Sequence, residues 1–264
     1  MNDSIKKFKE DGFLVIEDIV NQNLLDQMIY LIAARFTSIT KIKLNDAIII
    51  NGNVSKEFEE NLINLRKNNP DVFGFLYDSI QSSINLTQLL TDNKLISAAC
   101  AVVEGKIEDY STSGHIQRID PPTDDKNLYS WHQETSYYRQ NSTGKNCFFI
   151  WVPLFDIDKT TGSVILAKSS HKEGYYETDV KINSKFGSEQ RHVDDAHVKN
   201  FEKVHVSMKK GDACIIDFNT VHASGHNETN SIRYTAIGRY HFTNTKDFRP
   251  FRNKFAFNNL LTDK

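Results

Sequence analysis

The chain has 264 residues, of which 39% are hydrophobic and 25% are charged, and its formal net charge is −2 at pH 7. This composition excludes a disordered chain, and the near-neutral charge disfavours a protein that binds nucleic acid or anionic lipid. The sequence lacks an apolar run of the roughly 18 residues that a transmembrane helix needs, and its N-terminus lacks a signal-peptide core. We therefore expect one cytoplasmic domain over residues 1–264, with no nucleic-acid or membrane partner.

The three cysteines, Cys100, Cys147 and Cys214, are odd in number and far apart, and they lie among apolar neighbours. Free buried thiols in a reducing compartment explain this pattern better than a disulfide or a metal site.

The first part of the chain, residues 1–105, is predicted to be mainly helical support. A short strand is expected at residues 13–16, and apolar residues recur at helical spacing in the segments after it. The predicted helices cover residues 23–36, 56–67 and 72–90.

Residues 106–245 change to short β-rich runs separated by turn signals such as PPTDD, NSTG and KKGD. Such strands favour a sandwich or jelly-roll barrel. The predicted strands cover residues 129–134, 146–155, 163–167, 203–208, 213–218 and 232–242. The polar segment 172–202 has no clear period and is expected to be a lid-like excursion. The tail, residues 246–264, carries four phenylalanines and is expected to dock on its own domain rather than on another subunit.

The stretch WHQE places His132 and Glu134 two positions apart, so that a strand would direct both side chains to one face. An imidazole and a carboxylate on one face are two thirds of a facial triad for ferrous iron. His222, which follows the β-rich run ACIIDF, can complete the triad. Arg233, eleven residues further, offers the planar fork that the far carboxylate of a chelating α-keto acid needs. This arginine spacing favours His222 over its rival His226.

These residues resemble the phytanoyl-CoA dioxygenase family of Fe(II)/2-oxoglutarate-dependent oxygenases. The opening KEDGFLVIEDIVNQNLLDQM, the WHQE stretch, TGSVILAKSSHKEG and the closing GD…HASG…R follow the order of the family's motifs. The resemblance implies a mainly β fold with helical decoration, in which N-terminal helices pack on a double-stranded β-helix (jelly-roll, cupin-like) core. It also implies hydroxylation of a small molecule at Fe(II), with 2-oxoglutarate and O2 consumed and succinate and CO2 released.

By the same resemblance, His132, Glu134 and His222 would bind the iron and Arg233 would bind the C5 carboxylate of 2-oxoglutarate. Ser224 and Trp151 match positions that line the cosubstrate pocket in family members.

Two positions depart from the family's pattern. Most members carry aspartate where this chain has Glu134; a carboxylate ligand of either length favours hydroxylation or another oxidation over halogenation. Family members often carry a lysine shortly before the prolines of IQRIDPP, where this chain has Asp120. A contact there is expected to differ, so acyl-CoA specificity does not follow.

The substrate is less defined by the sequence. A polar or anionic small molecule is consistent with the residues that follow the first motif and with those of the excursion, although all of them are also explained as rim or loop residues. They are Tyr137, Tyr138, Arg139, Tyr175, Tyr176, Arg191, His192 and His197.

Two other functions remain open at this stage. One is a cupin-type metalloenzyme that uses no 2-oxoglutarate, which would not need Arg233. The other is a non-catalytic family member that binds a ligand. The oligomeric state is not indicated by the sequence.

Overall fold

The computed structural model describes residues 2–122, 124, 128–138, 146–182, 189–245 and 248–249. Arg139 and most of the C-terminal tail, with Phe251, Phe255 and Phe257, lie outside the described residues. The helices are α1 (Asn2–Asp11), α2 (Gln22–Thr40), α3 (Lys56–Asn68), α4 (Pro70–Ile80), α5 (Ile84–Leu90), α6 (Asn93–Val102) and α7 (Asp195–Val198). Within the described part of the chain, none of the helices has the length and apolar character needed to cross a membrane.

The helical segment predicted over residues 72–90 is two helices in the structure. The break lies at residues 81–83, where the side chain of Ser83 accepts a hydrogen bond from Leu86 N and so begins α5. In the same break, the Gln81 side chain exchanges two hydrogen bonds with the backbone of Gln117, at 2.8 and 3.0 Å. Helical periodicity alone does not reveal such a break, because the apolar spacing continues through it.

The strands are β1 (Phe13–Ile16), β2 (Ile49–Ile50), β3 (Asn53–Val54), β4 (Tyr110–Asp120), β5 (Phe148–Pro153), β6 (Ile165–Ala167), β7 (Asp179–Ile182), β8 (Glu189–His192), β9 (Lys203–His205), β10 (Ala213–Asp217), β11 (His222–Ala223) and β12 (Arg233–Phe242). A five-stranded antiparallel sheet has the order β1-β10-β5-β12-β4, and a three-stranded sheet has the order β11-β6-β9.

The side-chain alternation of the central strands separates two cores. On β5, Phe148, Ile150 and Val152 belong to the core that includes the N-terminal helices. Phe149 and Trp151 belong instead to the core that includes residues of the three-stranded sheet. Because β5 is buried on both faces, its sequence reads as a continuous apolar run. The face that carries Phe149 and Trp151 is the face on which the site lies.

The predicted strand over residues 129–134 is wrong. Only His132 makes a β-bridge, and Glu134 begins a short 3-10 helix that ends at Ser136. Gln133 between them is still extended, with φ −123° and ψ 141°, so the side-chain alternation is kept over these three residues. The pairing of His132 with Glu134 on one side therefore survives without a regular strand.

Candidate active site

The two histidines are held together by backbone hydrogen bonds. The amide of His132 donates to the carbonyl of His222, and the amide of His222 donates to the carbonyl of His132, both at 2.9 Å. Their ring centroids are 4.1 Å apart. Nδ1 of His132 lies 2.7 Å from the Ser130 carbonyl oxygen, and Nδ1 of His222 lies 2.9 Å from that of Thr220. A carbonyl accepts only from N–H, so Nε2 is the lone-pair nitrogen of each neutral ring.

Glu134 completes the group. One possible ligand atom from each of His132, Glu134 and His222 lies within 4.8 Å of the others, and all three side chains are buried. Oε1 of Glu134 is 3.9 Å from Nε2 of His222. The structure thus brings together the three residues that the sequence proposed as metal ligands. The rival His226 is exposed and lies outside this group.

The protonation states suit a metal cation. Burial lowers the pKa of His132 to about 3, and the neighbouring His222 adds to this effect. Burial also lowers the pKa of His222. Burial opposes ionisation of Glu134, but Arg239 outweighs it and brings the pKa of Glu134 to about 2. At neutral pH the site therefore presents two neutral imidazoles and one carboxylate.

This donor set fits ferrous iron. Two imidazoles and one carboxylate on one side of a metal ion leave the opposite coordination positions open, which is the arrangement of non-haem iron oxygenases. The carbonyl partners of the two Nδ1 atoms fix the ring orientations, as outer partners of metal-binding histidines do. His132, Glu134 and His222 can hold such an ion.

The three side chains line a cavity of about 260 Å³ between the sheets. Trp151 and Ser224, which the family resemblance assigns to the cosubstrate pocket, also line it, as do Tyr137 and Tyr138. The Ser224 hydroxyl oxygen accepts a hydrogen bond from Tyr129 N at 3.1 Å, which leaves the hydroxyl proton for another acceptor.

Arg233 is buried at the wall of this cavity and is bound to Asp120. Its Nε and Nη2 donate to Oδ2 of Asp120 at 3.1 and 2.9 Å, and its Nη1 donates to the carbonyls of Gly162 and Gly225. Asp120 also accepts from Arg118 Nε at 2.9 Å. Burial raises the pKa of Asp120, but the two arginines outweigh it and leave the pKa lowered. Asp120, which stands where family members often carry a lysine, therefore lies between the guanidinium groups of Arg118 and Arg233.

Two polar cavity residues of β12 were missed by the sequence reasoning. Arg239 donates from Nε to Oε2 of Glu134 at 2.7 Å and from Nη2 to Oε1 at 3.2 Å. Thr235 is fully buried, and its hydroxyl has no hydrogen-bond partner among the described residues. The signal was present: Thr235 and Arg239 stand two and six positions after Arg233, and a strand directs such residues to the same face.

The described residues of the excursion meet the site through backbone atoms and through side chains at the rim. The amide of Arg191 donates to the Tyr137 hydroxyl at 3.1 Å, and His192 Nδ1 lies 3.1 Å from Ser130 Oγ. The rings of Tyr176 and His197 pair with each other, with centroids 4.6 Å apart. Among the candidate substrate residues that the structure describes, Tyr137 and Tyr138 line the cavity, and Tyr175, Tyr176, Arg191, His192 and His197 do not.

Comparisons with solved structures show the same fold. The non-haem monooxygenase ThoJ, in its apo form, is 16% identical and has a TM-score of 0.60, covering 91% of this chain and 77% of its own. EvdO2 from Micromonospora carbonacea var. aurantiaca, complexed with 2-oxoglutarate, is 14% identical with a TM-score of 0.58, covering 92% and 91%. The 2-oxoglutarate-dependent epimerase SnoN from nogalamycin biosynthesis is 14% identical with a TM-score of 0.57, covering 90% and 81%. These neighbours confirm the predicted fold class.

Comparison with curated protein sequences finds no match. The family model of phytanoyl-CoA dioxygenase, in contrast, matches residues 8–235, which includes all three candidate metal ligands and Arg233. The chain belongs to the phytanoyl-CoA dioxygenase family of non-haem oxygenases, whose cofactors are Fe(II), 2-oxoglutarate and O2.

Proposed function

We propose that the protein is an Fe(II)/2-oxoglutarate-dependent hydroxylase of a polar small molecule and that it releases succinate and CO2. The observation that carries the proposal is the buried group of His132, Glu134 and His222, whose possible ligand atoms lie within 4.8 Å of one another at a cavity. Family membership supports the cofactors, and the intact carboxylate ligand supports hydroxylation over halogenation.

In this proposal the three side chains hold the iron, and bound ferrous iron supplies the activation of dioxygen for the oxidation. The two histidines contribute fixed Nε2 atoms, because their Nδ1 atoms are bound to backbone carbonyls. The apolar residues Phe149 and Val164 on the cavity wall limit the entry of water.

Arg233, Thr235 and Ser224 would bind the far carboxylate of 2-oxoglutarate. Arg233 retains one N–H, on Nη2, that none of its contacts with Asp120, Gly162 and Gly225 uses. The buried Thr235 hydroxyl lacks a partner in the described chain, and such a group costs about 1–3 kcal/mol unless it is paired. An anionic oxygen near both groups would remove that cost. Trp151 would form the apolar wall beside the cosubstrate.

The substrate would meet a surface of phenol hydroxyls and rings from Tyr77, Tyr129, Tyr137 and Tyr138. Burial raises the pKa of Tyr137 to about 12, so its hydroxyl stays protonated at neutral pH and can donate. Such a lining suits a polar molecule with hydrogen-bond acceptors.

The first test is an anaerobic titration of the metal-free protein with Fe(II) and then with 2-oxoglutarate. We expect a visible metal-to-ligand charge-transfer band that requires both components, and a screen of polar metabolites by succinate release would follow. Absence of metal binding would contradict the proposal and favour a non-catalytic binding protein.

A metalloenzyme that uses no 2-oxoglutarate is the second candidate. The observation that favours it is the engagement of four of the five N–H groups of Arg233 by protein acceptors. Metal binding without the charge-transfer band would support this candidate. If the band forms, product mass separates hydroxylation, which adds one oxygen atom to the substrate, from a reaction such as the epimerisation attributed to SnoN, which adds none.

We also propose that residues 1–264 act as one catalytic domain in the cytoplasm and that segment 172–202 covers the substrate entrance. The bond between Arg191 N and Tyr137 Oη joins this segment to the cavity rim, and the three cysteines are free and buried. Limited proteolysis checks the covering role: Fe(II) with substrate should protect the segment from cleavage.

A further inference from the structure

Arg239 is a buried guanidinium group whose only carboxylate partner among the described residues is a candidate metal ligand. It lies on β12, and it holds both oxygens of Glu134 across 105 residues of sequence. Its Nη1 donates to the carbonyl of Gly114, and its guanidinium carbon lies 5.8 Å from the centre of the Tyr138 ring. Binding of iron and 2-oxoglutarate, as proposed above, gives this residue no role.

The contacts divide the two oxygens of Glu134. Oε2 accepts the shorter bond, 2.7 Å from Arg239 Nε, whereas Oε1 is 3.2 Å from Nη2 and 3.9 Å from His222 Nε2. A short bond between ions is the stronger one, so Oε2 is the oxygen that Arg239 retains. Oε1 is the oxygen that lies nearer to His222.

Arg239 is itself fixed by a bulge in β4. Ile237 pairs with Ile116 and Arg239 pairs with Ser113, so β4 has one more residue than β12 in this interval. Gly114 lies in the bulge with φ +59°, and a side chain there would meet the Tyr138 hydroxyl, since a Cβ would be 2.5 Å from it. The bulge directs the Gly114 carbonyl to Arg239. The guanidinium group of Arg239 is therefore bound by Glu134 on one side and by the Gly114 carbonyl on the other.

We propose that Arg239 is a positioning residue: it retains Oε2 of Glu134 so that only Oε1 is presented to the metal ion. This inference rests on the proposed function. Glutamate has one more rotatable bond than the aspartate of most family members and can turn both oxygens toward a metal. Chelation through both would occupy a position that 2-oxoglutarate or dioxygen needs. Arg239 removes that freedom, and lysine, with a single point of charge, cannot hold the same geometry.

The test uses Co(II) as a redox-stable probe of the metal site in the full-length protein. Arg239→Gln removes the fork, and Arg239→Lys keeps the charge in case the first variant folds poorly. Arg66→Gln is the matched control, because Arg66 makes a similar two-bond pair with Asp124, at 2.7 and 2.9 Å, that does not line the cavity. Co(II) affinity and the 2-oxoglutarate affinity of the Co(II) proteins are measured by calorimetry, and ligation by X-ray absorption before 2-oxoglutarate is added.

We expect both Arg239 variants to bind Co(II), to gain one oxygen ligand with a nearby carboxylate carbon, and to lose about tenfold in 2-oxoglutarate affinity. Arg66→Gln should match the wild type. Three results would overturn the inference: 2-oxoglutarate affinity within about twofold of the wild type, loss of affinity without the added oxygen ligand, or loss of Co(II) binding by a folded variant. If the wild type itself binds no Co(II) or no 2-oxoglutarate, the proposed function fails instead.

Discussion

The two ends of the cavity use the same pair of chemical groups in opposite ways. At the metal end, the carboxylate of Glu134 is the candidate ligand and Arg239 holds it. At the other end, Arg233 is the residue proposed to bind the carboxylate of 2-oxoglutarate, and the carboxylate of Asp120 holds it. Asp120 also binds Arg118. At each end, a buried charged side chain is fixed by a partner of opposite charge. The role of each end can therefore be tested by changing either the binding residue or the partner that holds it.

The largest effect is expected from His222→Ala. Loss of one of three ligands should weaken Fe(II) or Co(II) binding by about 100-fold or more, since the two remaining groups cannot fix the ion. Anaerobic titration measures this affinity. His226→Ala is the matched control, because His226 lies four residues further and is exposed. Loss of metal affinity in His226→Ala without loss in His222→Ala would show that the distal ligand has been assigned to the wrong histidine.

Arg233→Leu removes the residue that is proposed to bind 2-oxoglutarate at the other end of the cavity. It should lower the affinity for 2-oxoglutarate by about 100-fold, because the carboxylate would then enter a buried site without its cation. Metal affinity should stay unchanged. Calorimetry of the metal-loaded protein measures both, and Arg66→Leu serves as the control for loss of a partly buried arginine that is paired with a carboxylate. Unchanged 2-oxoglutarate binding would favour the candidate function without this cosubstrate.

Asp120→Asn changes the partner and leaves the ligand in place. Asparagine keeps the size of the side chain but removes the charge that holds Arg233 and Arg118, so both guanidinium groups gain freedom. We expect KM for 2-oxoglutarate to rise by about tenfold with a smaller change in kcat. Asp124→Asn is the control, since Asp124 pairs with Arg66, an arginine that does not line the cavity. A fall in kcat with constant KM would contradict this role.

The smallest effect is expected from Thr235→Val, which removes one hydroxyl and preserves shape. If that hydroxyl donates to 2-oxoglutarate, the affinity should fall by about fivefold, and Thr235→Ser should retain most of it. The free protein should become no less stable, because the hydroxyl has no partner in the described residues. Thermal unfolding with and without 2-oxoglutarate separates the effect on the stability of the free protein from the effect on 2-oxoglutarate binding. Tighter binding by the valine variant would remove Thr235 from the proposed cosubstrate site.

Short-range patterns predicted much of the fold. The strand expected at residues 13–16 is β1 itself, and the apolar runs of β5, β10 and β12 were placed to within a few residues. The prediction failed where a local pattern continues through a change in the backbone. The spacing of residues 72–90 does not show the break before Ser83, and the alternation of His132 with Glu134 does not show the 3-10 helix.

The site was predicted less evenly. Residue type, order and family resemblance identified the three candidate metal ligands and Arg233, because each of these roles needs a specific chemistry. The partners Asp120 and Arg239 could not be assigned in the same way. Asp120 was noticed only as a departure, since its position opposite Arg233 depends on the pairing of β4 with β12. The pairing of Arg239 with Glu134 depends on the bulge at Gly114, which no local pattern in the sequence specifies.

The reciprocal backbone hydrogen bonds between His132 and His222 bear on the order in which the protein folds and binds iron. Two positions 90 residues apart are joined by the protein's own amides, at 2.9 Å in each direction, so the spacing of the two rings does not depend on an ion. In small zinc domains, by contrast, the ion itself drives folding. We therefore expect a newly made chain of this protein to fold before it binds iron, and we expect a chelator to return it to an empty, folded form that iron restores.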